Sequence, residues 1–269
     1  MNRKHMTLVA ALFTILIPWA PLTADSAKNT ANTNDLVSAP NDSLSAQQIE
    51  QVNSLIKNYL LKNPEILIEA GEILQQKQAQ AEKDTAMTAI KNNKETLFNQ
   101  KMSPVLGNPK GSNIIVEFYD YQCGHCKDMN STITELLSAN TNTKLILKEL
   151  PIFGDNSEYA AKASLAVYQI APQSFDEFHK QLLEIDGPAS KEKILAIATQ
   201  LKIDPAKLKQ AMSSPAIDQE LKNNFKVAKQ MGIKGTPSFV LANGKLTKFT
   251  FVPGATSKDN LLKLFSQLQ

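Results

Sequence analysis

The chain has 269 residues, 42% hydrophobic and 20% charged, with 29 Lys+Arg against 26 Asp+Glu. That composition supports one or two domains with a buried core, and it excludes wholesale disorder and a collagen-like repeat. A formal net charge of +3 is too small to mark a nucleic-acid-binding surface, so no nucleic-acid partner is expected.

The first element is an apolar run from Met6 to Ile17, too short for the roughly 20 residues of a spanning helix. Arg3, Lys4 and His5 precede it; Pro18, Pro21, Thr23 and Ala24 follow it. That is the layout of a secretory signal peptide, residues 1–24, with cleavage expected after Ala24. Its removal takes Arg3, Lys4 and the sole tryptophan, Trp19, and leaves a charge of +1. No cysteine lies near the cleavage point to carry a lipid, so a soluble periplasmic protein is expected. Residues 25–43 are small, polar and aperiodic and read as a flexible linker.

Residues 44–103 read as an N-terminal helical region. Ile49, Val52, Ile56 and Leu60 recur at helical spacing. Asn63-Pro64-Glu65 then ends one helix and starts another, with Asn63 as N-cap and Pro64 at the first helical position. On the second helix Ile66, Ala70, Ile73, Leu74, Lys77 and Ala81 share a stripe. Two such helices have too few residues for a core of their own and want a partner surface. Self-association as a homodimer is the expectation; folding back onto the chain's own main domain is the alternative.

A turn-rich junction around Ser103-Pro104 and Gly107 to Gly111 opens the domain 104–269. Asn113 to Tyr119 reads as a buried strand, Lys127 to Ala139 as a helix with Met129, Ile133, Leu136 and Leu137 inward, and Lys144 to Leu150 as a second strand. This strand–helix–strand unit requires a parallel pair. Five helices near 156–171, 174–185, 190–201, 205–212 and 216–231 follow, punctuated by prolines. Pro237 to Ala242, the turn Asn243-Gly244, and Leu246 to Phe251 read as a hairpin, and Ser257 to Leu268 as a last helix. The order β-α-β, helical insert, β-β-α predicts an α/β thioredoxin fold with an inserted helical domain.

Both cysteines lie in Cys123-Gly124-His125-Cys126, where the first strand hands over to its helix. Residues three apart in a helix lie roughly 5 Å apart, within reach of a disulfide. A structural staple is poorly served by so short a loop, worth only about 2 kcal/mol. A zinc site wants about four ligands, whereas the chain after Ala24 offers these two cysteines, His125 and the distant His179. No metal and no separate cofactor are therefore expected; the redox-active pair Cys123–Cys126 is the reactive group. Cys123 at the helix N-terminus gains from free N–H groups and the helix dipole, which favour its thiolate. His125 can add positive charge or a hydrogen bond, and Cys126, one turn in, is the resolving thiol. His179, at helical spacing from Phe175 and Leu182, reads as a structural histidine.

At these residues the sequence resembles the DsbA-like thiol:disulfide oxidoreductases. The likeness rests on Val116 to Gln122 leading into the Cys-x-x-Cys, on Leu150-Pro151-Ile152-Phe153-Gly154, on the helical insert, and on Gly235-Thr236-Pro237-Ser238-Phe239. Through Asn63-Pro64-Glu65 it is also similar to exported members with an N-terminal dimerisation segment. The chain departs from the usual Pro-His between the cysteines: it has Gly124-His125, the pair typical of disulfide isomerases, whose potential lies near about −180 mV rather than about −120 mV. The resemblance implies a cis bond at Thr236-Pro237, with Thr236 pairing to an extended substrate. It also implies that Glu117 moves protons for Cys126. The implied activity is disulfide formation and isomerisation in unfolded or partly folded cysteine-containing proteins, with a redox partner that resets the site. A redox-inactive chaperone or binding protein on the same scaffold is the alternative.

Overall fold

The computed structural model describes residues 44–269; the signal segment 1–24 and the linker 25–43 lie outside the described residues. The chain divides into two units, one ending at Lys62 and one from Asn63 to Gln269. The described part of the first is one helix, α1 (Ala46–Lys62), which buries none of its residues. Ile49, Val52, Leu55, Ile56, Tyr59 and Leu61 are all exposed on it.

The second unit begins with α2 (Glu65–Asn92), in which Pro64 takes the N-cap position, one residue later than the sequence predicts. Its start and its end differ. Leu67, Ile68, Ile73 and Leu74 are exposed, whereas Ala86, Ala89 and Ile90 are buried, as are Leu97 and Phe98 of α3 (Lys94–Phe98). These five residues share one apolar cluster with sheet residues Ile114, Val116, Phe118, Ile146 and Val240 and with Val227, Ala228 and Met231. A boundary at 103/104 therefore cuts through a core. The apolar spacing in 86–98 serves the main unit's own sheet, and within α1 to α3 the large apolar side chains exposed to solvent all lie before about residue 80.

Five strands form the sheet: β1 (Val105–Gly107), β2 (Asn113–Tyr119), β3 (Thr143–Glu149), β4 (Ser238–Asn243) and β5 (Phe249–Pro253), in the order β1-β3-β2-β4-β5. β2 and β3 run parallel, joined by α4 (Gly124–Ala139), and the other pairs are antiparallel. β1 has no counterpart in the sequence reading. It is three residues long, follows Pro104 and ends on Gly107 at φ +72°, where a Cβ would lie 2.6 Å from the Thr143 carbonyl oxygen, so its ladder comes from β3 rather than from its own pattern.

The hairpin also differs. Ala242 pairs with Phe249, so the second strand begins later than Leu246. Asn243 Oδ1 accepts hydrogen bonds from the N–H groups of Thr247 and Lys248, at 2.9 and 3.1 Å, and Leu246 sits at φ +51°. The asparagine side chain thus holds a wide loop where a two-residue turn was expected.

The insert comprises α5 (Asp155–Ile170), α6 (Phe175–Leu183), α7 (Lys191–Gln200), α8 (Pro205–Met212) and α9 (Pro215–Met231), and α10 (Lys258–Leu268) closes the chain. Ser190, Asp204, Ser214 and Ser257 accept hydrogen bonds from N–H groups of their helices' first turns, and Pro205 and Pro215 fill the first positions where no donor is needed. Alternation on β2 then divides the core. Ile115 and Tyr119 face α4, the insert and α10, while Ile114, Val116 and Phe118 face α2, α3 and α9. Both faces are covered. No helix of the described residues is long and apolar enough to cross a membrane.

Candidate active site

The end of β2 is bound to its surroundings by one buried side chain. Asp120 Oδ1 accepts from the Gln122 N–H and the Ser157 hydroxyl, each at 2.7 Å, and Oδ2 accepts from the N–H groups of Ile152 and Phe153 at 2.7 and 3.2 Å. Its main-chain carbonyl accepts from the Cys123 N–H at 3.1 Å. Gln122 Oε1 accepts from the Ala189 N–H at 2.7 Å. Asp120 and Gln122 thus fix the turn that delivers Cys123, and sequence reasoning missed both. The available signal was an aspartate directly after a buried strand, where a carboxylate can satisfy several loop donors at once.

Cys123 takes the N-cap position of α4 with extended backbone, φ −77° and ψ 117°, and its carbonyl accepts from the N–H groups of Cys126 and Lys127. The N–H groups of the first turn point past this residue, which is where a developing negative charge is best placed. The thiol is not exposed: Cys123 is 5% accessible and Cys126 2%. What covers the leading sulfur is the loop before β4, where Thr236-Pro237 is a cis bond. The Cys123 thiol donates to the Thr236 carbonyl oxygen at 3.1 Å across 113 positions of sequence. Both cysteines are free thiols.

Thr236 offers a second polar atom. Its hydroxyl Oγ1 is buried without a hydrogen-bond partner among the described residues, and the Thr236 side chain favours the thiolate of Cys126. A buried hydroxyl left unsatisfied is costly, and a thiolate beside it removes the cost. Opposing this, burial pushes the Cys126 thiol well up, and the negative charge of Glu117 pushes it further.

Glu117 lies in mid-strand on β2, 6% exposed, opposite Leu147 on one side and Phe239 on the other. By alternation it faces the α4 side with Ile115 and Tyr119, so no outward-facing position exists for it. Burial pushes its carboxyl up to about 8. His125, by contrast, is exposed in the first turn of α4 and makes no hydrogen bond to either sulfur among the described residues. His179 is buried beneath the sheet with Nδ1 2.8 Å from the Tyr121 hydroxyl, and burial holds its imidazole down at about 4.

Two surface hollows adjoin chain neighbours of the site, one at Thr236 and Pro237 and one at Gln122 and Gly124. One, of about 570 Å³, runs from Ala81, Glu82 and Thr85 of α2 along 231–238 to Phe251 and Pro253. The other lies beside Gly124, with Lys127, Phe153 and Gly187 around it, and Ile152 and Phe153 are exposed at its edge. A Cβ added at Gly124 would meet nothing within 4 Å, so a second polypeptide could approach the dithiol there. Among the described residues no three His, Cys, Asp or Glu side chains cluster as a metal site.

Residues 114–266 match the family model described as DSBA-like thioredoxin domain, and residues 48–81 match the one described as copper resistance protein ScsC N-terminal domain. The chain is 30% identical over 159 residues to Disulfide bond formation protein D of Bacillus subtilis (strain 168), covering 55% of this chain and 71% of that protein. Among solved structures it is similar to Salmonella enterica Typhimurium BcfH at 28% identity and TM-score 0.70, covering 82% and 96% of the two chains. It is also similar to Proteus mirabilis ScsC in a transitional conformation, at 28% identity and TM-score 0.60, covering 84% and 98%.

Proposed function

The chain belongs to the DSBA-like thioredoxin family of thiol:disulfide oxidoreductases, and from that membership we propose that it is an exported, self-associating enzyme that forms and isomerises disulfides in unfolded or partly folded proteins through Cys123 and Cys126. The observation that carries this reading is the thiol of Cys123 at the N-cap of α4, hydrogen-bonded at 3.1 Å to the Thr236 carbonyl beneath the cis Thr236-Pro237 bond. No stabilising role accounts for a short dithiol placed at a helix start and against a loop 113 positions away.

Starting from the Cys123–Cys126 disulfide, a substrate thiolate attacks Cys123 Sγ. The intramolecular S–S bond breaks, a mixed disulfide forms, and the electron pair leaves on Cys126. Glu117, which burial keeps protonated into the neutral range, gives that sulfur a proton, and the Thr236 hydroxyl turns toward it. A second substrate thiolate then attacks the mixed disulfide, releasing oxidised substrate and a Cys123 thiolate facing the first turn of α4. Starting from the dithiol, Cys123 attacks a misplaced disulfide instead, and Cys126 returns the substrate if rearrangement fails. Thr236 pairs with the extended backbone around the substrate cysteine, and the two hollows receive its flanking side chains.

A redox partner must reset the pair after each net oxidation. The exposed apolar residues of α1 and of the first half of α2 are what joins copies of the chain, a homodimer being the simplest closed arrangement, and residues 1–24 direct export. The test is turnover on two substrates, one reduced and one with scrambled disulfides. The protein is expected to process both and Cys123→Ser neither; a Cys123→Ser protein that still suppresses aggregation while wild type shows no thiol exchange would replace this reading with that of a holdase.

A further inference from the structure

A second carboxyl lies buried on the same face of the sheet as Glu117, and the thiol exchange described above gives it no part. Glu149 ends β3, directly opposite Tyr119 in the parallel register, and is fully enclosed. Glu117 pairs with Leu147, so the two carboxyl positions are diagonal neighbours on adjoining strands, about 8 Å apart from strand spacing and rise. One oxygen of Glu149 is 2.5 Å from the Tyr119 hydroxyl; the other is buried with no partner among the described residues.

From Tyr119 a continuous line of polar atoms runs across the face. Its hydroxyl is 3.0 Å from that of Tyr121, which is 2.8 Å from both Ser164 Oγ on α5 and His179 Nδ1 on α6. His179 in turn lines a cleft between β1, α4 and α6 that opens to the surface beside Asp176 and Lys180. The Tyr119 hydroxyl donates to Glu149 and the Tyr121 hydroxyl to Ser164, so rotation of the two phenolic O–H groups is what joins a proton on Glu149 and a proton on His179 Nδ1 through one line of acceptors. The other groups facing Glu149 are the Ser164 hydroxyl, which favours its charged form, the Asp120 carboxylate, anchored by four donors, and the Asn224 amide of α9, which donates to the Glu149 main-chain carbonyl at 3.1 Å. Lys148 does not compensate it, since it points to the opposite face and pairs with Glu220.

We propose that Glu149 is a positioning residue for the Cys126 proton: when ionised it keeps the neighbouring Glu117 protonated, and it exchanges its own proton with solvent through Tyr119, Tyr121 and His179. Two carboxyls enclosed together on one face cannot both carry charge cheaply. Burial raises Glu149 to about 8 against hydrogen bonds from Ser164 and Tyr119 that lower it, and the charges of Asp120 and Glu117 add smaller upward contributions. The inference rests on the thiol-exchange reading, because it needs Glu117 to serve Cys126.

The test uses full-length reduced protein carrying glutathione on Cys123. Cys126 attacks Cys123 Sγ, the Cys123–glutathione bond breaks, the Cys123–Cys126 bond forms, and the proton lost by Cys126 is balanced by that gained on glutathione. The release rate rises with pH as Glu117 becomes a base. In Glu149→Gln the neighbouring charge is gone, so the midpoint is expected to move down by roughly half a pH unit or more, while alkylation of Cys123 keeps its wild-type pH profile. An unmoved or raised midpoint in a folded Glu149→Gln protein overturns the proposal; failure of wild type to release glutathione overturns the redox reading instead.

Should that variant not fold, infrared absorption of protonated carboxyls in wild type and Glu117→Gln decides. Wild type is expected to lose this absorption above the ordinary carboxylate range in two steps, and Glu117→Gln to retain one step at lower pH. A single wild-type step that vanishes with Glu117→Gln overturns the proposal.

Discussion

Burial of the Glu117 carboxyl makes the stability of the fold depend on pH. Unfolded, the carboxyl ionises near the ordinary glutamate value of 4.5; folded, burial raises it to about 8. Between those values the folded state holds a proton that the unfolded state has released, so the contribution to stability is present at low pH and lost as pH rises toward 8. The loss is of order a few kcal/mol over that window. Glu117→Gln is therefore expected to gain stability relative to wild type as pH goes from about 5 to 8, read as diverging denaturation midpoints, while thiol exchange slows. Parallel midpoints across that range would mean that the carboxyl is not held neutral.

Thr236→Val makes the complementary residue-scale change. It removes the hydroxyl near Cys126 and leaves the main-chain carbonyl that meets Cys123. The Cys126 thiolate loses a donor, so attack by Cys126 should need higher pH, with alkylation of Cys123 little altered; equal shifts at both sulfurs would contradict the assignment. The positions of the cysteines and of Thr236-Pro237 stand out in the sequence as short contiguous motifs, whereas the part given to Glu117 came only with the family resemblance. Asp120, Tyr119, Tyr121 and Glu149 were not legible, since no local pattern comparable to Cys-x-x-Cys names them and the contacts of Asp120 with Ile152, Tyr119 with Glu149 and Tyr121 with His179 arise only in the fold.

Among the elements, α2 divides between two tasks. Ile90 is fully buried against the sheet, whereas Leu67 is 60% exposed. Ile90→Ala should cost about 2–5 kcal/mol in unfolding free energy, and Leu67→Ala almost nothing in a dilute unassociated sample; equal costs would place the core boundary elsewhere. Periodicity alone gave α2 its existence and its stripe but not this division, because a face that packs on its own sheet and one that waits for another chain have the same spacing. The insert helices were legible for the opposite reason. Ser190, Asp204 with Pro205, and Ser214 with Pro215 state their starts locally. β1 could not be read, as three residues carry too little alternation.

At the level of the whole molecule, the apolar surface of α1 and of the first half of α2 is the feature that a lone chain leaves unused. Leu55→Glu with Leu74→Glu, both at exposed positions, is expected to reduce the mass in solution to that of one chain and to depress isomerisation more than simple oxidation. A mass equal to wild type would remove these helices as the joining surface. Removing residues up to 103 is a poor test of the same point, since it deletes Ala86, Ile90, Leu97 and Phe98 from the core.

The most direct measurement concerns the order of the two sulfurs. Cys126→Ser protein, mixed with an unfolded polypeptide containing one disulfide, should accumulate a covalent adduct through Cys123 that dithiothreitol releases, whereas Cys123→Ser should accumulate none. An adduct of equal yield on Cys126 in the Cys123→Ser protein, or no adduct in either, would contradict the assignment of Cys123 as the sulfur that meets substrate.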